Sequence, residues 1–169
     1  MLIRPYSPPD FDDVLRIIND AAVAYRGFIP PDRWHEPYMP KQELEREIAQ
    51  RVEFWLAGDA TAIVGVMGIQ VLGDLALIRH AYVAPSRQHA GIGRALLAHI
   101  RSTCSKPLLV GTWAAANWAI AFYEGHGFVP VSYADKERLL REYWNIPVRQ
   151  IETSVVLADR RWINRNQTG

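Results

Sequence analysis

Two glycines, Gly91 and Gly93, fall where a strand gives way to a helix, in the stretch Val83-Ala84-Pro85-Ser86-Arg87-Gln88-His89-Ala90-Gly91-Ile92-Gly93-Arg94-Ala95-Leu96-Leu97. The first turn of a helix leaves backbone N–H groups without intrahelical partners and carries the positive end of the helix dipole. Glycines there let an anion approach the backbone without meeting a Cβ. Charge-assisted hydrogen bonds contribute roughly 1.5–3 kcal/mol each, so a few such amides can hold a pyrophosphate. Taken alone, Gly-Ile-Gly reads first as an ordinary helix start after a glycine-containing loop. The spacing is neither Gly-x-Gly-x-x-Gly nor followed by Gly-Lys-Ser/Thr, which excludes a Rossmann or P-loop site.

The surroundings of this turn change its meaning. Gln88-His89-Ala90-Gly91-Ile92-Gly93 fits the pattern Gln/Arg-x-x-Gly-x-Gly/Ala after a strand ending Val83-Ala84-Pro85. Further on stands Asn117-Trp118-Ala119-Ile120-Ala121-Phe122-Tyr123-Glu124-Gly125-His126-Gly127-Phe128, of the form Asn-x-x-Ala-x-x-Phe-Tyr-x-x-x-Gly-Phe. The two segments, in this order and at this separation, resemble the acetyl-CoA loop and the following helix of the GNAT superfamily of N-acetyltransferases. The resemblance extends over almost the whole chain and implies acetyl-CoA as co-substrate.

It also implies roles. Main-chain groups of Ala81, Tyr82 and Val83 would bind pantetheine in the manner of an added strand, in a gap opening toward Leu108–Trp113. Amides of Gln88, His89, Ala90, Gly91, Ile92, Gly93 and Arg94 would hold the pyrophosphate. Asn117 would approach the pantetheine arm and Tyr123 the thioester sulfur. Attack by an amine expels a thiolate of pKa about 8.5, and a phenol near 10 stays protonated at neutral pH, so Tyr123 can act as the general acid.

The base is left open. A substrate ammonium of pKa about 10 is only ~0.1% neutral at pH 7, so its deprotonation costs roughly 4 kcal/mol. Where many relatives carry a Glu, six residues ahead of Val83, this chain has Leu77. Some relatives use histidines on this strand instead, and His80 lies on it, but alternation places it opposite the Leu77/Arg79 face, which favours a packing histidine over a base. A water chain, Glu53 and His35 remain candidates. Arg79 would share the cleft face with Leu77, where a cation suits an acceptor bearing a carboxylate; the competing reading is a strand arginine paired with a nearby acid. Trp113, the aromatic loop with Tyr25, Phe28, Trp34, His35 and Tyr38, and the helix bearing Tyr143 and Trp144 sit where relatives form the acceptor site.

The elements that must position these residues follow from the pattern. Leu2–Tyr6 reads as a strand, and Ser7-Pro8-Pro9-Asp10 as the start of a helix striped by Phe11, Val14, Leu15, Ile18 and Ala22. A helix over 41–51 carries the charged run Glu43–Glu47, read as a solvated face. Strands near 53–57, 62–72 and 75–83 form a meander with turns at Gly58-Asp59 and Gly73-Asp74. A helix spans 91–104, a strand 108–113 and a helix 117–124 ended at Gly125 or Gly127. Then come a strand over 129–133, a helix over 136–144 and a last strand over 151–157. Cys104 reads as a buried small apolar residue, and Arg160, Arg161 and Arg165 as a frayed basic tail. The fold class is α/β: a GNAT-like mixed central sheet, an antiparallel meander followed by a parallel crossover, with helices on both faces.

With 169 residues, 49% hydrophobic and 22% charged, the chain reads as one soluble domain over 1–169. A net charge of +1 offers no basic field for nucleic acid. One cysteine excludes an intramolecular disulfide and a cysteine zinc site, so no metal is expected. No apolar leader or 18-residue apolar run is present, which points to the cytoplasm and away from membranes. The functions kept in play are acetylation of a small-molecule primary amine, amino-acid-like in one form; acetylation of a protein N-terminus or lysine; and a non-catalytic acetyl-CoA sensor. The acceptor, other acyl groups and the oligomeric state, a homodimer included, stay open.

Overall fold

The computed structural model describes residues 1–59 and 61–167. Seven strands form one sheet in the order β1-β2-β3-β4-β5-β7-β6. They are β1 (Leu2–Pro5), β2 (Glu53–Gly58), β3 (Ile63–Leu72), β4 (Leu75–Val83), β5 (Leu108–Trp113), β6 (Val129–Pro130) and β7 (Ser154–Ala158). Among the described residues only β4 and β5 pair in parallel, and the other pairs are antiparallel. The expected meander and single parallel crossover are therefore present. The crossover is α3 (Ile92–Thr103).

Alternation along the strands sorts the core onto two faces. Met67 and Ile69 of β3, with Ala76 and Ile78 of β4, pack against Ile92, Leu96, Leu97 and Ile100 of α3 and against Tyr123 of α4 (Asn117–Gly125). On the other face, Val66 with Phe54 and Leu56 meets Val14, Ile17 and Ile18 of α1 (Phe11–Ala22) and Leu44 of α2 (Lys41–Ala49). Further along that face Leu75 and Leu77 meet Leu139 and Leu140 of α5 (Tyr133–Tyr143), Ile151 of α6 (Val148–Glu152) and Trp162 of α7 (Arg160–Gln167).

Ser7 opens the first helical segment as expected. Its backbone N–H and Oγ both donate to Asp10 Oδ2 at 2.8 Å, and Arg4 grips the same carboxylate with two 2.7 Å bonds. The C-terminal third departs from the sequence pattern. The strand expected over 129–133 is two residues long, because Ser132 caps α5: the Asp135 N–H donates to its Oγ at 3.1 Å. Ile151 lies in a helix and not in the last strand, because Pro147 starts a turn whose carbonyl accepts from Gln150 and Ile151 at 2.9 and 3.1 Å. The basic tail is α7 and is anchored. Arg161 donates to Asp159 at 2.8 Å and to the Cys104 carbonyl at 2.6 Å, and Arg165 pairs with Asp74 at 2.7 Å. Among the described residues no helix is long and apolar enough to cross a membrane.

Candidate active site

The two parallel strands part company halfway along. Their register runs Ala76↔Leu108, Leu77↔Leu109 and Ile78↔Val110, and then stops, although β4 continues to Val83 and β5 to Trp113. A cleft of about 1350 Å³ opens at this divergence, walled by Ala81, Tyr82 and Val83 on one side and Gly111, Thr112 and Trp113 on the other. An extended ligand can lie along the open strand edges and use their free backbone groups.

At one end of the cleft is the glycine turn. Pro85–Arg87 make a single 3₁₀ turn, His89 and Gly91 take left-handed conformations (φ +63 and +77), and α3 starts at Ile92. Among the described residues no backbone carbonyl accepts from the amides of residues 88–94, whereas the Ala95 N–H donates to the Gly91 carbonyl at 3.0 Å. Gln88, His89, Ala90 and Gly91 are exposed, and Arg87 and Arg94 flank them on the cleft wall. A row of unpaired amides, a helix dipole and two arginines is what a pyrophosphate requires. Gly93 also keeps this end open: a Cβ there would stand 3.4 Å from the Phe122 ring and 3.9 Å from Val83 Cγ2.

Tyr123 reaches the cleft from α4, buried at 5% exposure between Phe122 and Phe128. Burial, with the nearby Tyr25 hydroxyl, pushes its phenol well above the ordinary range, so it stays protonated at neutral pH. Asn117 stands exposed at the first position of α4 and is not among the residues lining the cleft, while Trp118, Ala119 and Phe122 are.

The other end is aromatic. Tyr38 stacks on Tyr25 and on Trp34 with centroids 5.9 and 5.7 Å apart, and Trp118 meets Tyr25 and Phe28 at 5.6 and 5.0 Å. Trp113 is buried and donates from Nε1 to Tyr38 Oη at 3.3 Å. Burial pushes Tyr25 up to about 12 and raises both Tyr38 and Tyr82. The loop over 25–40 is clasped to α6 through Arg149–Asp32 at 2.8 Å and Arg33 Nη2 to Gln150 Oε1 at 3.1 Å. Arg33 Nε is buried and, among the described residues, donates to nothing.

Two expectations, the side taken by His80 of β4 and the solvation of Glu47 of α2, need correction. Register shifts between Val66↔Tyr82 and Gly68↔Arg79, so His80 and Ala81 together oppose Met67. His80 takes φ +51 at this bulge, which breaks the alternation. His80 therefore shares a side with Arg79, and both reach Glu47 of α2, at 3.1 and 3.0 Å. Glu47 itself is 9% exposed and is no solvated helix residue. It falls three residues after Leu44 and one before Ile48, on the helix's apolar stripe, a signal present in the sequence. Arg79 lines the cleft, but Gln70 Oε1 at 2.9 Å and Glu47 already occupy its fork. Glu53 is exposed and does not line the cleft; His35 does, on the exposed rim, with Nδ1 2.9 Å from the Pro37 carbonyl oxygen. Arg33, Glu47, Arg87 and Trp118 are cleft residues that sequence reasoning did not single out, and nothing in the sequence marks Arg33.

Comparison with known proteins agrees with this geometry. The family model for the acetyltransferase (GNAT) domain matches residues 17–141. The chain belongs to the GNAT acetyltransferase family, and acetyl-CoA is its co-substrate. Among solved structures it is similar to a PaiA N-acetyltransferase from Thermoplasma acidophilum in complex with coenzyme A, with a TM-score of 0.71, 17% identity, and 94% of this chain and 97% of that one covered. It is also similar to the ribosomal-protein-S18-alanine N-acetyltransferase of Escherichia coli (TM-score 0.66, 19% identity, 94% and 92% covered). A third is the N-acetylglutamate synthase of Neisseria gonorrhoeae complexed with coenzyme A and L-arginine (0.59, 20%, 94% and 32%). At these identities the likeness establishes the fold alone. No curated protein matches the sequence.

Proposed function

We propose that the protein acetylates the primary amine of a small molecule that also carries a carboxylate, an amino-acid-like acceptor. The observation that carries this is Arg33, a cleft-lining cation whose buried Nε–H has no protein acceptor among the described residues. An unpaired buried donor of this kind is costly unless a ligand completes it. Arg33 takes over the role expected of Arg79, whose two terminal nitrogens already bond Gln70 and Glu47. The 25–40 loop and α6, clasped together, both border the acceptor end, and this narrowing suits a small molecule better than a protein segment. Of the similar solved structures, one is a ribosomal-protein-S18-alanine N-acetyltransferase and another an N-acetylglutamate synthase, so the fold serves both acceptor classes.

In this proposal the amides of residues 88–94, with Arg87 and Arg94, hold the pyrophosphate. The open edge of β4 from Ala81 to Val83 aligns the pantetheine arm. Acetyl-CoA supplies the thioester that the amine attacks. Tyr123 gives its hydroxyl proton to the sulfur as the C–S bond breaks. Burial keeps the phenol protonated, and the same dry setting disfavours a bare thiolate, which draws the proton to the sulfur as it leaves. Tyr25, Tyr38, Trp113 and Trp118 surround the acceptor.

The test compares glycine with methylamine, and alanine with ethylamine, by thiol release. Wild type should prefer each acid. Arg33→Gln should remove the preference by raising KM for the acids about 10- to 100-fold, the equivalent of one lost charged hydrogen bond, with kcat nearly kept. A wild type that prefers the bare amines contradicts the proposal.

A further inference from the structure

We infer that His80 takes the proton from the acceptor's ammonium group and that Glu47 is the residue that positions its ring. This rests on the proposed amine acetylation and supplies the base that it lacks.

The geometry begins at the bulge. A non-glycine residue at φ +51 holds an unfavourable backbone, and such positions persist where surrounding structure fixes them. Here the bulge turns His80 onto the cleft wall beside Arg79, with its ring 6.0 Å from that of Phe54 on β2. Glu47 approaches from α2. Its Oε1 is taken by Arg79 at 3.0 Å, which leaves Oε2 facing His80 Nε2 at 3.1 Å. That contact is close but misaligned: both atoms are buried, and neither has a well-formed hydrogen bond among the described residues. An ionised carboxylate and an imidazole are thus held together, short of full mutual satisfaction, at the wall of the acceptor cleft.

The charges around the pair suit the role. Burial opposes ionisation of Glu47, but His80, Arg79 and Arg46 outweigh it and hold the carboxyl below its usual range. Glu43 of α2 also lines the cleft. The neighbouring hydroxyls of Tyr25, Tyr38 and Tyr82 are all raised, so they stay protonated and cannot accept. The imidazole on the cleft wall can take up the proton, and a carboxylate beside it stabilises the imidazolium that forms.

The step balances as follows. The ammonium N–H bond breaks, its electron pair stays on nitrogen, and the proton moves to His80. That nitrogen forms the C–N bond while the C–S bond breaks, and Tyr123 protonates the sulfur. The second proton shed by the new amide nitrogen returns to Tyr123 through water, and His80 releases its own to solvent.

The experiment uses two acceptors with the same carboxylate: glycine, whose amine arrives protonated, and aminooxyacetate, whose nitrogen arrives neutral at pH 7. His80→Gln should lower kcat/KM for glycine about 10²-fold and leave aminooxyacetate within about threefold. Glu47→Gln should move the acid limb of the glycine profile to lower pH, in step with the His80 ring titration followed by NMR in the CoA-bound protein. Equal losses for both acceptors, no loss for either, or a ring titration that ignores Glu47→Gln overturns the inference. If wild type acetylates neither compound, the carboxylate-acceptor proposal fails, and the NMR titration still decides the His80–Glu47 coupling.

Discussion

Arg79 Nη2 lies 3.0 Å from Glu47 Oε1, while its Nη1 donates to Gln70 Oε1 at 2.9 Å. Gln70 in turn donates to the Gln50 carbonyl at 3.0 Å, so one guanidinium ties β4 to β3 and to α2. Arg79→Ala removes the guanidinium that pairs with buried Glu47 and should cost about 3 kcal/mol of stability. It should raise KM for glycine and for methylamine alike, unlike Arg33→Gln. Urea unfolding and paired KM measurements check both. A selective loss of the acid would return the carboxylate-binding role to Arg79.

At the cofactor end, Gly93 faces Phe122 across a space that a large side chain would fill, and Gly91 holds φ +77. Gly93→Trp should abolish measurable CoA binding by calorimetry with a native circular dichroism spectrum. Gly91→Ala should weaken binding modestly, because a left-handed alanine costs about 1–2 kcal/mol. Unchanged affinity in a folded Gly93→Trp protein would sink the assignment of this turn to the pyrophosphate.

Tyr123→Phe keeps the ring that packs against Phe122 and Phe128 and removes only the hydroxyl. Turnover should fall by about 10²-fold while acetyl-CoA affinity changes little. The readout is single-turnover thiol release, where chemistry limits the rate. A wild-type rate there would mean that another group protonates the sulfur.

Asp10 governs acid stability. The Arg4 fork lowers its pKa, burial partly opposes this, and Ser7 adds to the lowering, so the folded value lies far below the unfolded one. A group with a depressed folded pKa stabilises the protein above its unfolded value of about 4, and that stability is lost as pH falls toward the folded one. Asp10→Asn should therefore cost roughly 1.5–3 kcal/mol at pH 7. Its difference from wild type should shrink steadily below about pH 4. Unfolding curves across this range provide the check, and a difference independent of pH would contradict the assignment.

The parts of the site built from backbone were legible from residues 75–128. Strand bounds at Leu75–Val83 and Leu108–Trp113 coincide with the expected ones, because turn residues and Pro107 punctuate them. The acceptor end was legible only in its composition. A bulge has no sequence code of its own, so period-2 reasoning placed His80 on the wrong side of the sheet. Glu47 hid inside a charged run although its spacing from Leu44 and Ile48 marked the buried face. The last strand is expected from Ile151 but begins at Ser154, because the five-residue helix over 148–152 carries too little periodicity to be told from strand.

The most direct test of the central claim is thiol release from acetyl-CoA by the purified protein, with mass detection of the acetylated product, across glycine, alanine, their decarboxylated amines and a peptide with a free N-terminus. The account predicts one N-acetylated amino acid per thiol released, with glycine or alanine outpacing methylamine, ethylamine and the peptide. Binding of CoA in the cleft with no thiol released by any of these amines, or product formed on the peptide alone, would contradict it.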